Sequence, residues 1–420
     1  MKVFYRKLKT AAVVSAALVL LAGCRKEPVC PGGPGCEPTE GSHTFLIYAV
    51  ADNNLWRFIR GNVNMAMEAV EAGIPADTRV LVYWDDLTNY TGERKTALTE
   101  IVLENGQAVE KVLKEYDDQN SAAPAVMKTV LRDVQYYAPA EVYGISLLGH
   151  GTGWFPPELN NLKQPMSGEP CLEHDLRRPE NALTRAYGPD GEEYMSVEGL
   201  VEGLSEIRFD YVVFDVCFMS SIELLYALRD NTPYILASPA EIMGKGIPYH
   251  KVLPLLFDRA YTIDRRLAFA ASAIVDYYRG ESTPSAAFTV VATGGLQGVA
   301  DAVKKIFEAE VDEPDFGAIQ YLEVVEPEHA FFDLKDYLKN ITDSGSEEAR
   351  RAFSEFETAL ATAVVAEYHT PEIYSALGNF SGGFFPADAV CGISSYIPRD
   401  WLPVTKEAWE ATQWAEYVMP

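Results

Sequence analysis

The chain has 420 residues, 48% of them hydrophobic and 11% aromatic, with 61 acidic against 35 basic side chains and a net charge of −26. That apolar fraction excludes a disordered chain, and the shortage of clustered Lys and Arg excludes a nucleic-acid backbone as partner. The length suits two domains or one large decorated α/β unit, and the acid excess suits either plain solubility or attraction of a basic ligand.

The N-terminus has the make-up of an export signal. Lys2, Arg6, Lys7 and Lys9 precede an apolar run from Ala11 to Ala22. At about 12 residues the run is too short to span a bilayer but suits a signal-peptide core. It ends Leu21-Ala22-Gly23-Cys24, which resembles a bacterial lipobox. Residues 1–23 are therefore expected to be removed and Cys24 to carry lipid, giving an exported, membrane-anchored lipoprotein on the periplasmic face or the cell surface. Residues 24–43, rich in Pro, Gly and Glu, read as a flexible tether. Residues 44–420 read as the folded part, with no second long apolar run.

Alternation of apolar runs with helical periodicity continues down the chain. Thr44–Val50 reads as a strand. A helix follows from about Asn53 to Ala72, where Leu55, Phe58, Ile59, Val63, Met67 and Val70 recur at helical spacing. Arg79–Trp84 is a second strand, with a polar hairpin through Asn89 to Leu103. Ala122–Tyr137 reads as a helix, Glu141–Leu148 as a buried strand and Val197–Ile207 as a helix. Tyr211–Asp215, Met219–Leu228 and Tyr234–Ala237 then read as strand, helix and strand. Further on come a strand near Ala286–Ala292, a helix from Gln297 and a late strand near Val390–Ile397. Strands separated by helical crossovers predict an α/β fold, a mostly parallel sheet with helices on both faces.

Ligands of such sheets bind outside the carboxyl ends of the strands. There one run delivers Gly149-His150-Gly151-Thr152-Gly153-Trp154 and another delivers Asp215-Val216-Cys217-Phe218-Met219. A thiol is a weak nucleophile until deprotonated, and a neighbouring imidazole can hold its proton and later give it to a leaving amine. A helix beginning at Cys217 would favour the thiolate. The glycines would let the Gly151 and Cys217 amides approach a substrate carbonyl as an oxyanion hole. Read singly, Cys217 is also compatible with a small buried residue, and His150 with a turn. The remaining cysteines are scattered. No Cys-x-x-Cys occurs, so no structural zinc is indicated, and no metal is assigned to the site.

These residues resemble the clostripain family of cysteine peptidases, in its His-Gly-x-Gly-Trp and Asp-x-Cys-x-Met-x-x-x-Glu elements, the latter ending here in Glu223. Ala237-Ser238, Gly246-Ile247-Pro248-Tyr249, Phe332-Asp333-Leu334-Lys335-Asp336 and Gly392-Ile393-Ser394-Ser395-Tyr396-Ile397-Pro398 are similar to its later elements. The resemblance covers roughly residues 44–417 and implies a caspase-haemoglobinase-like fold with a His–Cys dyad. It implies His150 as general base and acid, Cys217 as nucleophile, and a thioester acyl-enzyme. No cofactor performs the chemistry, although the namesake enzyme's response to calcium leaves room for a structural calcium ion. It further implies protein or peptide substrates cleaved after Arg or Lys, and a single catalytic unit.

Asp215 maps onto a family pocket position, where it could bind a guanidinium or merely cap the next helix. Glu241 is a second pocket candidate. Where the family carries Trp this chain has Ile247, so the resemblance does not set Arg over Lys. Family members can cut themselves between His and Cys, which makes Arg177, Arg178 and Arg185, within the long loop 155–190, candidate self-cleavage sites. The same resemblance also admits a catalytically silent surface lipoprotein that binds basic peptides, and a transpeptidase or ligase using the same acyl-enzyme.

Overall fold

The computed structural model describes residues 41–53, 55–85, 96–155, 194–324, 329–376 and 383–419. Cys24, the signal and most of the tether, and Arg177, Arg178 and Arg185 lie outside the described residues.

Nine strands form the main sheet. They are β1 (Gly41–Val50), β2 (Thr78–Asp85), β3 (Ala97–Glu104), β4 (Gln107–Glu115), β5 (Ala140–Leu148), β6 (Tyr211–Asp215), β7 (Tyr234–Ala237), β8 (Ala287–Ala292) and β10 (Val364–His369), in the order β10-β8-β7-β6-β5-β1-β2-β3-β4. The five central strands, β7-β6-β5-β1-β2, run parallel, and both edges are antiparallel. The α/β architecture expected from the sequence is the one observed. A short two-stranded element, β9 (Phe332–Asp333) with β13 (Ser394–Ser395), and a hairpin, β11 (Glu372–Ser375) with β12 (Gly383–Pro386), stand apart from it.

β1 shows why the centre is buried on both sides. Leu46, Tyr48 and Val50 join one core cluster, while Phe45, Ile47 and Ala49 join the other, because successive strand side chains point to opposite faces. Helices α2 (Pro124–Tyr137), α3 (Val197–Leu204) and α7 (Leu296–Glu308) cover the first face. Helices α1 (Trp56–Ala72), α5 (Tyr249–Leu256) and α6 (Ile263–Arg279) cover the second.

The antiparallel pairing of β2 with β3 agrees with the hairpin expected through Asn89 to Leu103, and an unexpected second one follows, β3–β4, turning at Asn105-Gly106, both at positive φ, the dipeptide preference of a tight strand connection. Three expectations are corrected. The helix after Cys217 is α4 (Ile222–Ala227), six residues with Ser221 at its N-cap, shorter than Met219–Leu228. The strand near Val390–Ile397 is only the two-residue β13, outside the main sheet. In α1 the buried stripe is Ile59, Asn62, Val63, Ala66, Ala69 and Val70, and Phe58 stands out of it.

Candidate active site

Strand register places the two chemical side chains. Leu148 and Asp215, the last residues of β5 and β6, are partners in adjacent parallel strands. His150 and Cys217 therefore each stand two residues beyond the same rung, at the carboxyl edge of the sheet. Both line one cleft of about 180 Å³, together with Phe58, Asn62, Asp215 and Glu241. A larger cleft of about 250 Å³ between Trp154, α3 and the C-terminal residues Ala408–Gln413 contains neither His150 nor Cys217. The smaller cleft is the one with reactive groups, and chemistry rather than volume identifies the candidate site.

The glycines of the His150 loop serve contact between loops. A Cβ on Gly151 would fall 2.1 Å from Val216 Cγ1 and 3.2 Å from both Cys217 O and Met219 Sδ. Gly153, at φ +61°, has Phe218 O 2.7 Å from its open position. Only residues without a side chain let the two turns nest this closely. Phe218 is itself left-handed at φ 60°, a conformation that costs a bulky residue about 1–3 kcal/mol. It is held by its N–H on Ala240 O and by its ring stacked on Phe331, 4.3 Å between centroids.

Cys217 is half-buried and stands on this turn, four residues before the N-cap of α4. The expected help from a helix N-terminus is absent. Burial, and next the Glu241 carboxylate, push the thiol up to about 12, against a partial offset from Ile242 N–H, which donates to Sγ at 3.3 Å. Burial also lowers His150 to about 4. Burial thus favours the neutral form of both the thiol and the imidazole that line the cleft.

Asp215 does not cap the following helix. Its Oδ2 accepts from Ile247 N at 3.0 Å and from Tyr249 Oη at 3.3 Å, while Tyr249 Oη also meets Ser146 Oγ at 2.7 Å. The side chain is 8% exposed, and burial raises its carboxyl to about 6 despite these donors. Among the described residues it forms no ion pair with a cation. Gly246, at φ +64°, lies against it: a Cβ there would be 2.7 Å from both carboxylate oxygens. Glu241 shares the cleft and accepts from Ala376 N at 2.9 Å.

Asn62 escaped the sequence reading, and Glu223, quoted there only as the end of a motif, gains a structural role. Asn62 donates to Lys245 O at 2.8 Å and Ile247 O at 3.1 Å, bracing the loop that holds Asp215. Its polar position in the buried stripe of α1 was the available signal. Glu223 is buried behind the Cys217 turn, and its Oε1 accepts from Tyr396 N and Trp409 Nε1, each at 2.9 Å. Ser394 N donates to Ser220 O at 2.9 Å, and Ser220 Oγ to Gly392 O at 2.7 Å. The later motif segments are thus clamps on the turn. Among the described residues, no three His, Cys, Asp or Glu side chains gather as a metal site would require.

Comparison with known proteins gives a consistent picture. The model of the clostripain family matches residues 47–165 and 176–370. An inactive zymogen C11 protease from Parabacteroides distasonis is similar at 25% identity and TM-score 0.75, covering 91% of this chain and 99% of that one. The secreted C11 cysteine protease iotapain from Bacteroides thetaiotaomicron is similar at 26% identity and TM-score 0.75, covering 91% and 100%. A secreted C11 protease from the same organism, in complex with an irreversible peptide inhibitor, matches at 25% identity and TM-score 0.73, covering 90% and 99%. No curated protein sequence matches.

Proposed function

The chain belongs to the clostripain family of cysteine peptidases, and from that premise we propose that it cleaves peptide bonds after Arg or Lys through Cys217 and His150. The observation that carries the reading is the shared cleft, which holds a thiol, an imidazole and a buried, cation-free carboxylate. The substrate's cationic side chain pairs with Asp215, and its carbonyl carbon meets Cys217 Sγ. As sulfur attacks, His150 takes the thiol proton, so the neutral pair separates charge only when the substrate is in place. The Gly151 and Cys217 amides receive the developing oxyanion. His150 then protonates the leaving amine, a thioester forms, and water delivered through His150 hydrolyses it.

An arginyl acyloxymethylketone probe tests this reading. Covalent labelling of the wild type that is lost in Cys217→Ala is expected. A folded wild type that takes no label overturns it, and an added amine nucleophile separates hydrolysis from ligation. No observation favours the silent peptide-binding reading, since both members of the pair are present.

Two further parts of the proposal fall on residues outside those described. Self-processing within 155–190, at Arg177, Arg178 or Arg185, would relate the full-length chain to its Parabacteroides relative, which is a zymogen. Purified Cys217→Ala that still splits there rules it out. Export, consistent with a relative called secreted, would leave the protein on the membrane through lipid on Cys24. Loss of fatty-acid labelling in Cys24→Ala tests that anchor. No helix among the described residues is long and apolar enough to cross a membrane.

A further inference from the structure

The position where the family carries Trp and this chain has Ile247 does not face the cleft. Ile247 is fully buried in the core on the α1 face of the sheet and does not line the cleft. Its backbone serves the site by donating to Asp215, while its side chain turns away. The aromatic ring in the cleft comes instead from Phe58, in the first turn of α1, 47% exposed.

Phe58 and Asp215 flank the same three residues. The Phe58 ring lies 3.4–3.5 Å from where a Cβ of Gly244 would be. Four residues on, and so on the same helix face, Asn62 Nδ2 lies 2.9 Å from the open position of Gly246. The Asp215 carboxylate meets that position from the other side, at 2.7 Å. The ring is thus about one helical turn, roughly 5–6 Å, along α1 from the residue that meets Gly246 beside the carboxylate. That offset matches the reach of a long basic side chain, whose head would sit at Asp215 while its stem passes Phe58. Leu55, Ile242 and Met243, all half-buried and lining the same cleft, extend the apolar wall.

We propose that Phe58 is the residue that sets arginine above lysine in this cleft, by stacking along the planar guanidinium and its stem while Asp215 takes the charge. This rests on the proposed cleavage after basic residues. A guanidinium is planar, weakly hydrated and able to stack on an aromatic face while meeting a carboxylate with two donors. A lysine ammonium is compact and strongly hydrated, so it gains the charge at Asp215 but little from the ring. Oδ2 of Asp215 already accepts from Ile247 N and Tyr249 Oη, which leaves Oδ1 as the open acceptor for either cation, so the carboxylate alone distinguishes the two poorly and the ring makes the difference.

The test uses the full chain as purified and two peptide substrates differing only in Arg or Lys before the cut. The wild type is expected to favour Arg by about tenfold in kcat/KM, in line with an aromatic–cation contact. In Phe58→Ala and Phe58→Leu the ratio falls to within about twofold, through loss on the Arg substrate. Phe58→Leu keeps an apolar wall without a π-face, so it separates stacking from simple packing. Both variants alter an exposed side chain, and an unchanged melting temperature confirms that they fold. A ratio unchanged in both variants, or a wild type that prefers Lys, overturns the inference while leaving cleavage after basic residues intact. A folded wild type that cuts neither substrate brings down the function reading itself.

Discussion

Gly151 and Val216 are in such close contact that the smallest side chain at Gly151 would stand 2.1 Å from Val216 Cγ1. The two residues belong to different loops, one carrying His150 and the other leading into Cys217, so this contact sets the spacing of the pair proposed to react. Gly151→Ala must push the loops apart or force Val216 aside. Overpacking of this kind costs about 1–3 kcal/mol, which a folded domain can absorb, but a displacement of about 1 Å at the reacting atoms costs roughly 10²-fold in rate. We expect Gly151→Ala to melt only a few degrees below the wild type while kcat/KM falls by about 10² or more. Activity within threefold of the wild type would mean that the loops do not depend on this contact.

The resting thiol gives a second prediction. With Cys217 pushed up to about 12 by burial and by Glu241, the thiolate fraction rises about tenfold per pH unit throughout the neutral and mildly alkaline range. Alkylation by iodoacetamide should climb steadily from pH 7 to pH 9.5. Glu241→Gln removes the nearby negative charge, so alkylation at pH 8 should become several-fold faster. A plateau below pH 8 would reveal a preformed thiolate–imidazolium pair.

Much of this site was legible in the sequence, and what was not has physical causes. The strand ends carrying His150 and Cys217 are visible because apolar runs stop abruptly at Leu148 and Asp215. The family resemblance added Asp215 to them. The length of α4 was not legible: Met219 and Leu228 extend an apolar pattern, but the chain from Val216 to Ser221 is bent into a turn by packing against Gly151 and Gly153, a tertiary contact that local periodicity does not encode. Phe58 misled for the opposite reason. It fits the helical spacing of the buried stripe, but the loop at Gly244 leaves it facing the cleft. The late β13 is only two residues long, held by Ser220 and by its pairing with β9 at Asp333, so no run of strand residues announces it.

Asp215 gives a pH dependence of substrate binding. Burial raises its carboxyl to about 6, so it is ionised above that pH and neutral below it. A cationic substrate binds the ionised form, which means that KM for an Arg substrate should rise steeply as pH falls through about 6. A neutral aromatic substrate of the same length should not show that limb. Asp215→Asn should abolish it, leaving a KM that is high at every pH. If KM for Arg stays flat between pH 5 and pH 7, Asp215 is not the cation's partner.

Glu223 ties the Cys217 turn to the C-terminal segment, and its own ionisation opposes folding at alkaline pH. Its folded value is raised to about 7, by burial above all, from an ordinary value near 4.5. A group raised on folding contributes its full stability below its unfolded value and loses it as pH climbs through the folded one. Glu223 therefore favours the folded state most below about pH 4.5, and its contribution declines up to about pH 7. Oε1 accepts from Tyr396 N and Trp409 Nε1, and Oε2 has no protein partner among the described residues. Glutamine keeps the accepting oxygen and cannot ionise, so Glu223→Gln should match the wild type near pH 5 and be the more stable protein at pH 8, by an amount of the order of a few kcal/mol. Glu223→Ala leaves the amide and the indole without an acceptor and should be less stable than the wild type near pH 5, by about 2–4 kcal/mol, with the gap narrowing at pH 8, where Ala is spared the cost of ionisation. Denaturant titrations of the three proteins at the two pH values check this. A Glu223→Gln curve that tracks the wild type at pH 8 would show that the carboxyl is ionised at no cost.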